Sequence, residues 1–377
     1  MTRIGLLLFL AAIGVSAAPI SSLYFFGDSL SDTGNVYAAT TRLNSITFGL
    51  VPVTPASPPY YNGHFSNGPV WTETVASRLG HDSDAQPAGM SLGTFGSISG
   101  AGHNYAIGGA RTGTGGALGS FDSLVPTGIL AQTNYYLSGH TGDPNAMYFM
   151  LGGGNDLRDI AALTDPAAQF NAASTSAWYL AVSMYNLYQG GARNFFLMNA
   201  PNIGFIPESI SAGRTGSGAL ASLYFNFFLD YYANLLDQLP GFELTQFDVY
   251  GFYNSVLADT ATGGSLYGFT SLTPCINNQS ACNTSMFFDD IHPTARVQAL
   301  LGNRVADQLQ ASLLTSNALF TAADVVDTPE PATAGTVLVI LGVGLIRLGR
   351  LGKLRGAASP PTAHKACAHR VAAKSVR

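Results

Sequence analysis

Short apolar runs separated by longer helix-spaced segments constrain the fold of this chain more than any other feature. The runs lie at 23–26, 105–107, 146–151, 194–198 and 244–250, and segments with helical apolar spacing lie at 70–79, 167–189, 220–239 and 295–314. Runs this short, bounded by glycine and polar residues, predict buried strands. Strands that alternate with helices predict an α/β fold, a parallel sheet covered on both faces, with any site beyond the carboxyl ends of the strands. Three motifs fall at such ends: Gly27-Asp28-Ser29, Gly108-Gly109, and Gly152-Gly153-Gly154-Asn155-Asp156. The body of about 310 residues has room for one large domain or two smaller ones. No linker divides it, and the Gly/Ser-rich stretches at 89–102 and 108–120 read as loops inside one repeating pattern.

Two motifs at opposite ends of this body carry chemistry. Phe26-Gly27-Asp28-Ser29-Leu30 puts a serine after the first run, and Phe288-Asp289-Asp290-Ile291-His292-Pro293 puts an aspartate three residues before a histidine. A serine hydroxyl is a poor nucleophile until a base takes its proton, and imidazole titrates near working pH. Ser29 is therefore the candidate nucleophile and His292 the candidate base. Asp289 lies on the same side of its turn as His292 and suits the task of holding the ring in one tautomer. Asp290 is the first alternative. His64, His81, His103 and His140 sit in loop-like sequence and read as surface or structural residues. Asp28, Asp32, Asn35 and Asp156 read as groups that tie down loops.

A rival serine occurs in Gly89-Met90-Ser91-Leu92-Gly93, which fits the G-x-S-x-G elbow. That motif needs a buried strand before it and a helix after it, and here a Gly/Ser-rich loop follows. Arg111-Thr112-Gly113-Thr114-Gly115-Gly116 lacks the Lys-Ser/Thr ending of a phosphate-binding loop. Neither a metal-ligand spacing nor a cofactor fingerprint is present, so no metal and no cofactor is expected.

Charge narrows the partners. Residues 18–331 hold eight arginines and no lysine against all 22 acidic residues, a formal charge of −14. Such a surface repels nucleic acid and anionic headgroups. Cys275 and Cys282 lie seven apart in a polar loop and are a candidate disulfide in an oxidising compartment, while Cys367 has no evident partner.

Four blocks, in order, resemble the SGNH or GDSL family of serine esterases and lipases. They are Gly27-Asp28-Ser29, Asn104-Tyr105-Ala106-Ile107-Gly108-Gly109-Ala110, Gly153-Gly154-Asn155-Asp156, and Asp289-Asp290-Ile291-His292-Pro293. A fifth, Met198-Asn199-Ala200-Pro201-Asn202-Ile203-Gly204, is similar to a turn of the plant-type and haemolysin-like branch. The resemblance implies a flavodoxin-like three-layer α/β/α sandwich. It also implies an oxyanion hole made by the backbone N–H groups of Ser29 and Gly109 and the side-chain amide of Asn155, with Gly108 as the fallback if the alignment slips by one.

The ends give the chain an expected address. Residues 1–17 hold Arg3, an apolar run at 4–15 and a small-residue site, and predict a secretory signal. The hydrolase domain is expected over 18–327. Thr328-Pro329-Glu330-Pro331, an apolar run at 332–346 and a basic cluster to Arg355 resemble a PEP-CTERM sorting signal. That resemblance implies membrane contact through 332–346 and a dedicated processing enzyme, with 356–377 as a basic tail. The expected function is an exported, periplasmic or extracellular, serine carboxylester hydrolase. Its substrates are acyl esters of lipids, small molecules or polysaccharides. An acyltransferase on the same residues, or a non-catalytic surface protein that binds glycans or matrix, is the alternative. Tyr60-Tyr61, Tyr135-Tyr136 and the aromatic stretch 225–232 are candidate walls of an acyl pocket.

Overall fold

Aromatic residues at alternate strand positions build the sheet. In chain order the strands are β1 (Leu23–Gly27), β2 (Gly89–Ser91), β3 (Ser97–Ser99), β4 (Met147–Leu151), β5 (Asn194–Met198) and β6 (Glu243–Phe247). The first helices are α1 (Asn35–Ile46), α2 (Trp71–Leu79), α3 (Ile129–Gly139), α4 (Gly154–Ala161) and α5 (Pro166–Gln189). They are followed by α6 (Pro207–Ser211), α7 (Thr215–Leu236), α8 (Val249–Ala261) and α9 (Ala295–Phe320). The computed structural model describes residues 20–116 and 125–320. The expected signal peptide at 1–17, the sorting segment at 328–355 and the tail at 356–377 lie outside these residues.

The main sheet is parallel, in the order β1-β4-β5-β6. Every residue of β4 is buried, so both faces of the sheet are covered. On one face Phe25, Phe149, Phe196 and Phe247 form a row of ring contacts, and Trp71 at the start of α2 packs across Phe25 and Phe149. On the other face Tyr24, Tyr148, Phe195 and Phe242 form a second row, closed by Tyr136 of α3. Such cross-strand aromatic pairs add to burial through ring geometry and fix the register. Helix α2 pairs with α9, and α5 packs on α3 and α7. The result is the parallel α/β sandwich expected from the sequence.

Four details differ from expectation. The run at 105–107 makes ladder bonds to β1 (Tyr105 N to Phe25 O 2.8 Å, Ile107 N to Gly27 O 3.1 Å) yet counts as one isolated bridge at Asn104. It ends at once because Gly108-Gly109 turns away, with Gly109 at φ +80°. The run at 244–250 is split: the Asp248 carboxylate accepts from Gly251 N at 2.9 Å and starts α8 where a longer strand was expected. Residues 89–102, read as loop, contain the antiparallel β2–β3 hairpin. Helices α1, α3, α4, α6 and α8 were not among the expected segments. Among the described residues no helix is long and apolar enough to cross a membrane.

Candidate active site

The turn after β1 presents Ser29. Gly27 passes so near β4 that a Cβ there would lie 2.4 Å from the Leu151 carbonyl oxygen. The chain then turns tightly, with Ser31 N and Asp32 N both donating to Asp28 O at 3.0 Å. Asp32 anchors the turn to its surroundings. Its carboxylate accepts from Gly34 N and Asn35 N at 2.7 Å, from Val36 N at 3.2 Å and from Gly108 N at 2.7 Å. Burial outweighs these four bonds and raises the Asp32 carboxyl above its ordinary value.

The second half of the site is the turn before α9. Phe288 N donates to His292 O at 2.8 Å, and the Asp289 carboxylate accepts from Ile291 N at 2.8 Å and His292 N at 2.6 Å. These bonds put the Asp289 and His292 side chains side by side. His292 Nδ1 lies 2.7 Å from Asp289 Oδ2, and His292 Nε2 lies 2.7 Å from Ser29 Oγ. The three residues therefore form one continuous hydrogen-bonded chain from ends of the sequence 263 positions apart. Asp290, the alternative partner, is exposed, and its backbone carbonyl accepts from Glu208 N at 2.9 Å.

Tyr60 has a role that the sequence did not show. Its hydroxyl donates to Asp289 Oδ2 at 2.7 Å, so it supports the turn where an acyl-pocket wall was expected. Burial pushes the Asp289 carboxyl up, but the hydrogen bond and charge of His292, then the Tyr60 hydroxyl, outweigh it and bring it down to about 2. Tyr60 also packs on a small buried cluster of Cys275, Cys282 and Phe288. Cys275 and Cys282 are disulfide-bonded with their Cα atoms 5.2 Å apart. The bridged segment is tied to the Asp289 turn by Ile276 N donating to Phe288 O at 2.8 Å.

Asn155 stands in the first turn of α4, after Gly153 at φ +105°. Its Nδ2 donates to Ala110 O at 2.9 Å, which leaves its second amide proton unspent. Its Oδ1 accepts from Arg158 Nη1 at 3.2 Å, and Arg158 is itself held by a bidentate pair to Glu208 at 2.6 Å on both arms. Arg158, one helical turn from Asn155, fixes which way the amide points. Among the described residues the backbone N–H groups of Ser29 and Gly109 make no internal hydrogen bond, whereas that of Gly108 is taken by Asp32. Ser29, Asn155, Arg158 and His292 line one small cavity of about 40 Å³. Asp28 lines it too; burial raises its carboxyl to about 6 against the pull of Leu30 N–H and of His292.

The other singled-out residues are structural. Asp156 accepts from Thr112 N and Oγ1 at 2.9 Å and from Ser176 Oγ at 3.0 Å. Asn35 bridges Asn104 O, Ala106 O and Gly89 N. His64 pairs with Glu73, and His81 and His103 share Asp84. Ser91 lies on β2, its hydroxyl accepting from Gly93 N at 3.2 Å, with no histidine against it. Among the described residues no group of three or more His, Cys, Asp or Glu is arranged to hold a metal ion.

Comparison with known proteins adds three relatives and one family. The profile of the GDSL-like Lipase/Acylhydrolase family matches residues 23–305. An uncharacterised protein of the trpE-trpG intergenic region in Pseudomonas putida is 28% identical over 321 residues, which are 78% of this chain and 49% of that protein. A GDSL esterase/lipase of Arabidopsis thaliana is 24% identical over 346 residues, 80% of this chain and 94% of that one. A phosphatidylcholine-sterol acyltransferase of Aeromonas hydrophila is 43% identical over 77 residues, 19% of this chain and 20% of that one. The chain spans about half the length of the Pseudomonas protein.

Proposed function

This chain belongs to the GDSL-like lipase/acylhydrolase family, and from that premise we propose that it hydrolyses carboxylic esters through Ser29, His292 and Asp289. Membership makes it a hydrolase acting on ester bonds. The observation that carries the finer reading is the unbroken chain of 2.7 Å contacts from Ser29 Oγ through the His292 ring to Asp289. Pairing with Asp289 keeps a proton on Nδ1, so Nε2 is the lone pair that accepts from Ser29. Ser29 Oγ bonds to the ester carbonyl carbon while its proton passes to His292 Nε2. The carbonyl oxygen becomes an oxyanion held by the N–H groups of Ser29 and Gly109 and the Asn155 amide, donors worth roughly 3–4 kcal/mol each. Collapse breaks the carbon–alkoxide bond, and His292 returns its proton to the departing alcohol. Water then bonds to the acyl carbon as His292 takes its proton, the Ser29 Oγ–acyl bond breaks to free the acid, and His292 returns the proton to Ser29 Oγ. The unspent N–H of Gly109 favours it over Gly108 as the donor.

The test is turnover of p-nitrophenyl esters by the full chain beside Ser29→Ala and His292→Ala. Each variant is expected to lower kcat by at least about 10⁴-fold, as in serine hydrolases whose nucleophile or base is removed. A fluorophosphonate is expected to label Ser29. Equal turnover by Ser29→Ala and wild type, or labelling elsewhere, overturns the reading.

A second reading is favoured by the Aeromonas similarity: the same acyl-enzyme passes its acyl group to an alcohol in place of water. Measuring ester formed against acid released, with glycerol or a sterol present, separates the two. A non-catalytic glycan-binding role has no comparable support, since Ser29, Asn155, Asp289 and His292 are all in place. Export is part of the proposal, supported by the apolar leader and the Cys275–Cys282 bridge. A mature N-terminus near residue 18 is the expected finding. Retention through 328–355 by a sorting enzyme predicts that released mature protein lacks the basic tail, and recovery of the intact tail would reject it.

A further inference from the structure

A second and much larger space adjoins the site. A cavity of about 340 Å³ is lined by Val36, Leu43, Val51, Phe65, Phe95 and Val125, and it reaches the backbone of Gly108 and Gly109. Phe65 links this cavity to the base: its ring also packs on His292, with centroids 5.1 Å apart, and leaves no room for a Cβ at Gly108. The larger cavity therefore ends at the glycine turn that carries the proposed oxyanion donor, Gly109. Its threonine hydroxyls already donate to the backbone: Thr40 Oγ1 to Val36 O at 2.8 Å, Thr47 Oγ1 to Leu43 O at 2.6 Å and Thr54 Oγ1 to Pro52 O at 3.4 Å. A sugar or other polyhydroxyl group entering this mostly apolar lining would shed water and find few partners, at a net loss. An alkyl chain would lose nothing.

The position of His292 decides which half of an ester goes where. The base must hand its proton to the departing alcohol, so the alcohol lies on the side that His292 lines. That is the 40 Å³ space; the 340 Å³ space does not include His292. We infer that the larger cavity is the acyl site of this enzyme and that its ligand is an unbranched fatty acyl chain of about ten carbons. The length follows from volume, taking about 30 Å³ for a water-sized group such as a methylene. Leu50 at its edge is 86% exposed and Phe48 beside it 97%, an apolar rim suited to a lipid-like ester. The inference rests on the esterase reading for its geometry, and its test separates the two.

Turnover is measured on p-nitrophenyl acetate, hexanoate, decanoate and hexadecanoate. For the wild type, kcat/KM is expected to rise about fourfold per methylene, as burial of apolar surface predicts, and to stop rising near ten carbons. Val36→Phe, which fills the cavity, is expected to lower the decanoate-to-acetate ratio at least tenfold. Leu50→Asp changes an exposed rim position where folding is not at stake, and is expected to lower the same ratio severalfold. The second readout needs no catalysis. Ser29→Ala protein is expected to bind 11-(dansylamino)undecanoic acid, to release it to decanoic acid, and to bind it at least tenfold more weakly once Val36→Phe is added. Ester turnover with acetate preferred, or with both ratios unmoved, overturns the acyl site and keeps the esterase. Fatty-acid binding without turnover of any ester overturns the esterase and keeps the cavity as a fatty-acyl site.

Discussion

Asp289 accepts four hydrogen bonds, from Ile291 N, His292 N, His292 Nδ1 and the Tyr60 hydroxyl. Its carboxyl is held down to about 2, so it stays ionised throughout the working range. The sign is that of a depressed acid: its stabilisation is present above the unfolded value and is lost as pH falls toward 2. Tyr60→Phe removes one charge-assisted bond, of the order of 1.5–3 kcal/mol. It is expected to lower kcat about tenfold, leave KM within twofold, and raise the titration of Asp289 in an NMR pH series. An unchanged kcat and titration would mean that Tyr60 only packs. The hydrogen-bonded set of Ser29, His292 and Asp289 was legible from type and spacing, because D-x-x-H is a local geometry. Tyr60 was not, because it acts across 229 positions and nothing in Tyr60-Tyr61 separates a hydroxyl donor from an apolar wall. Arg158 escaped for a similar reason: an arginine on a helix reads as a solvated charge until Asn155 and Glu208 stand beside it.

The Asp289 turn is an element held from below. Cys275 and Cys282 close a short loop whose backbone bonds to Phe287 and Phe288, the two residues just before Asp289. Replacing both cysteines by serine is expected to cost about 2–3 kcal/mol, the range for a small closed loop. Thermal unfolding should fall by several degrees and kcat should fall with it, since the turn loses its support. Full kcat at lowered stability would show the bridge to be independent of the turn. The strands were legible because buried parallel strands are continuous apolar runs, as β4 is from end to end. Helix α1 was not, since its buried residues Asn35, Val36, Ala39, Thr40 and Leu43 include two polar ones and a small alanine. The β2–β3 hairpin is hidden by its own glycines, which read as loop.

Over the whole molecule, strand order was beyond the sequence, because each run shows that it is buried and not which run lies beside it. What the folded molecule adds is a set of buried acids. Burial raises Asp28, Asp32 and Asp156, and brings Asp28 to about 6 from 3.8. A raised carboxyl binds its proton more tightly in the native state, so stability falls as pH rises from about 4 to about 6 and stays lower above. For Asp28 the shift corresponds to about 3 kcal/mol. Asp28→Asn is expected to flatten that fall and to be the more stable protein at pH 8, read by denaturant unfolding at pH 4 and pH 8; parallel curves for the two proteins would reject it. The slope will not vanish, because Asp32 and Asp156 remain. Asp32 has one more effect. The same carboxylate grips the start of α1, which carries Val36, and the N–H of Gly108 beside Gly109, the proposed oxyanion donor. On the proposed reading, chain-length preference and catalytic power are therefore not separate modules: an engineer who shifts α1 to resize the larger cavity also pulls on the glycine turn, and selectivity has to be tuned by side chains, with the helix left where it is.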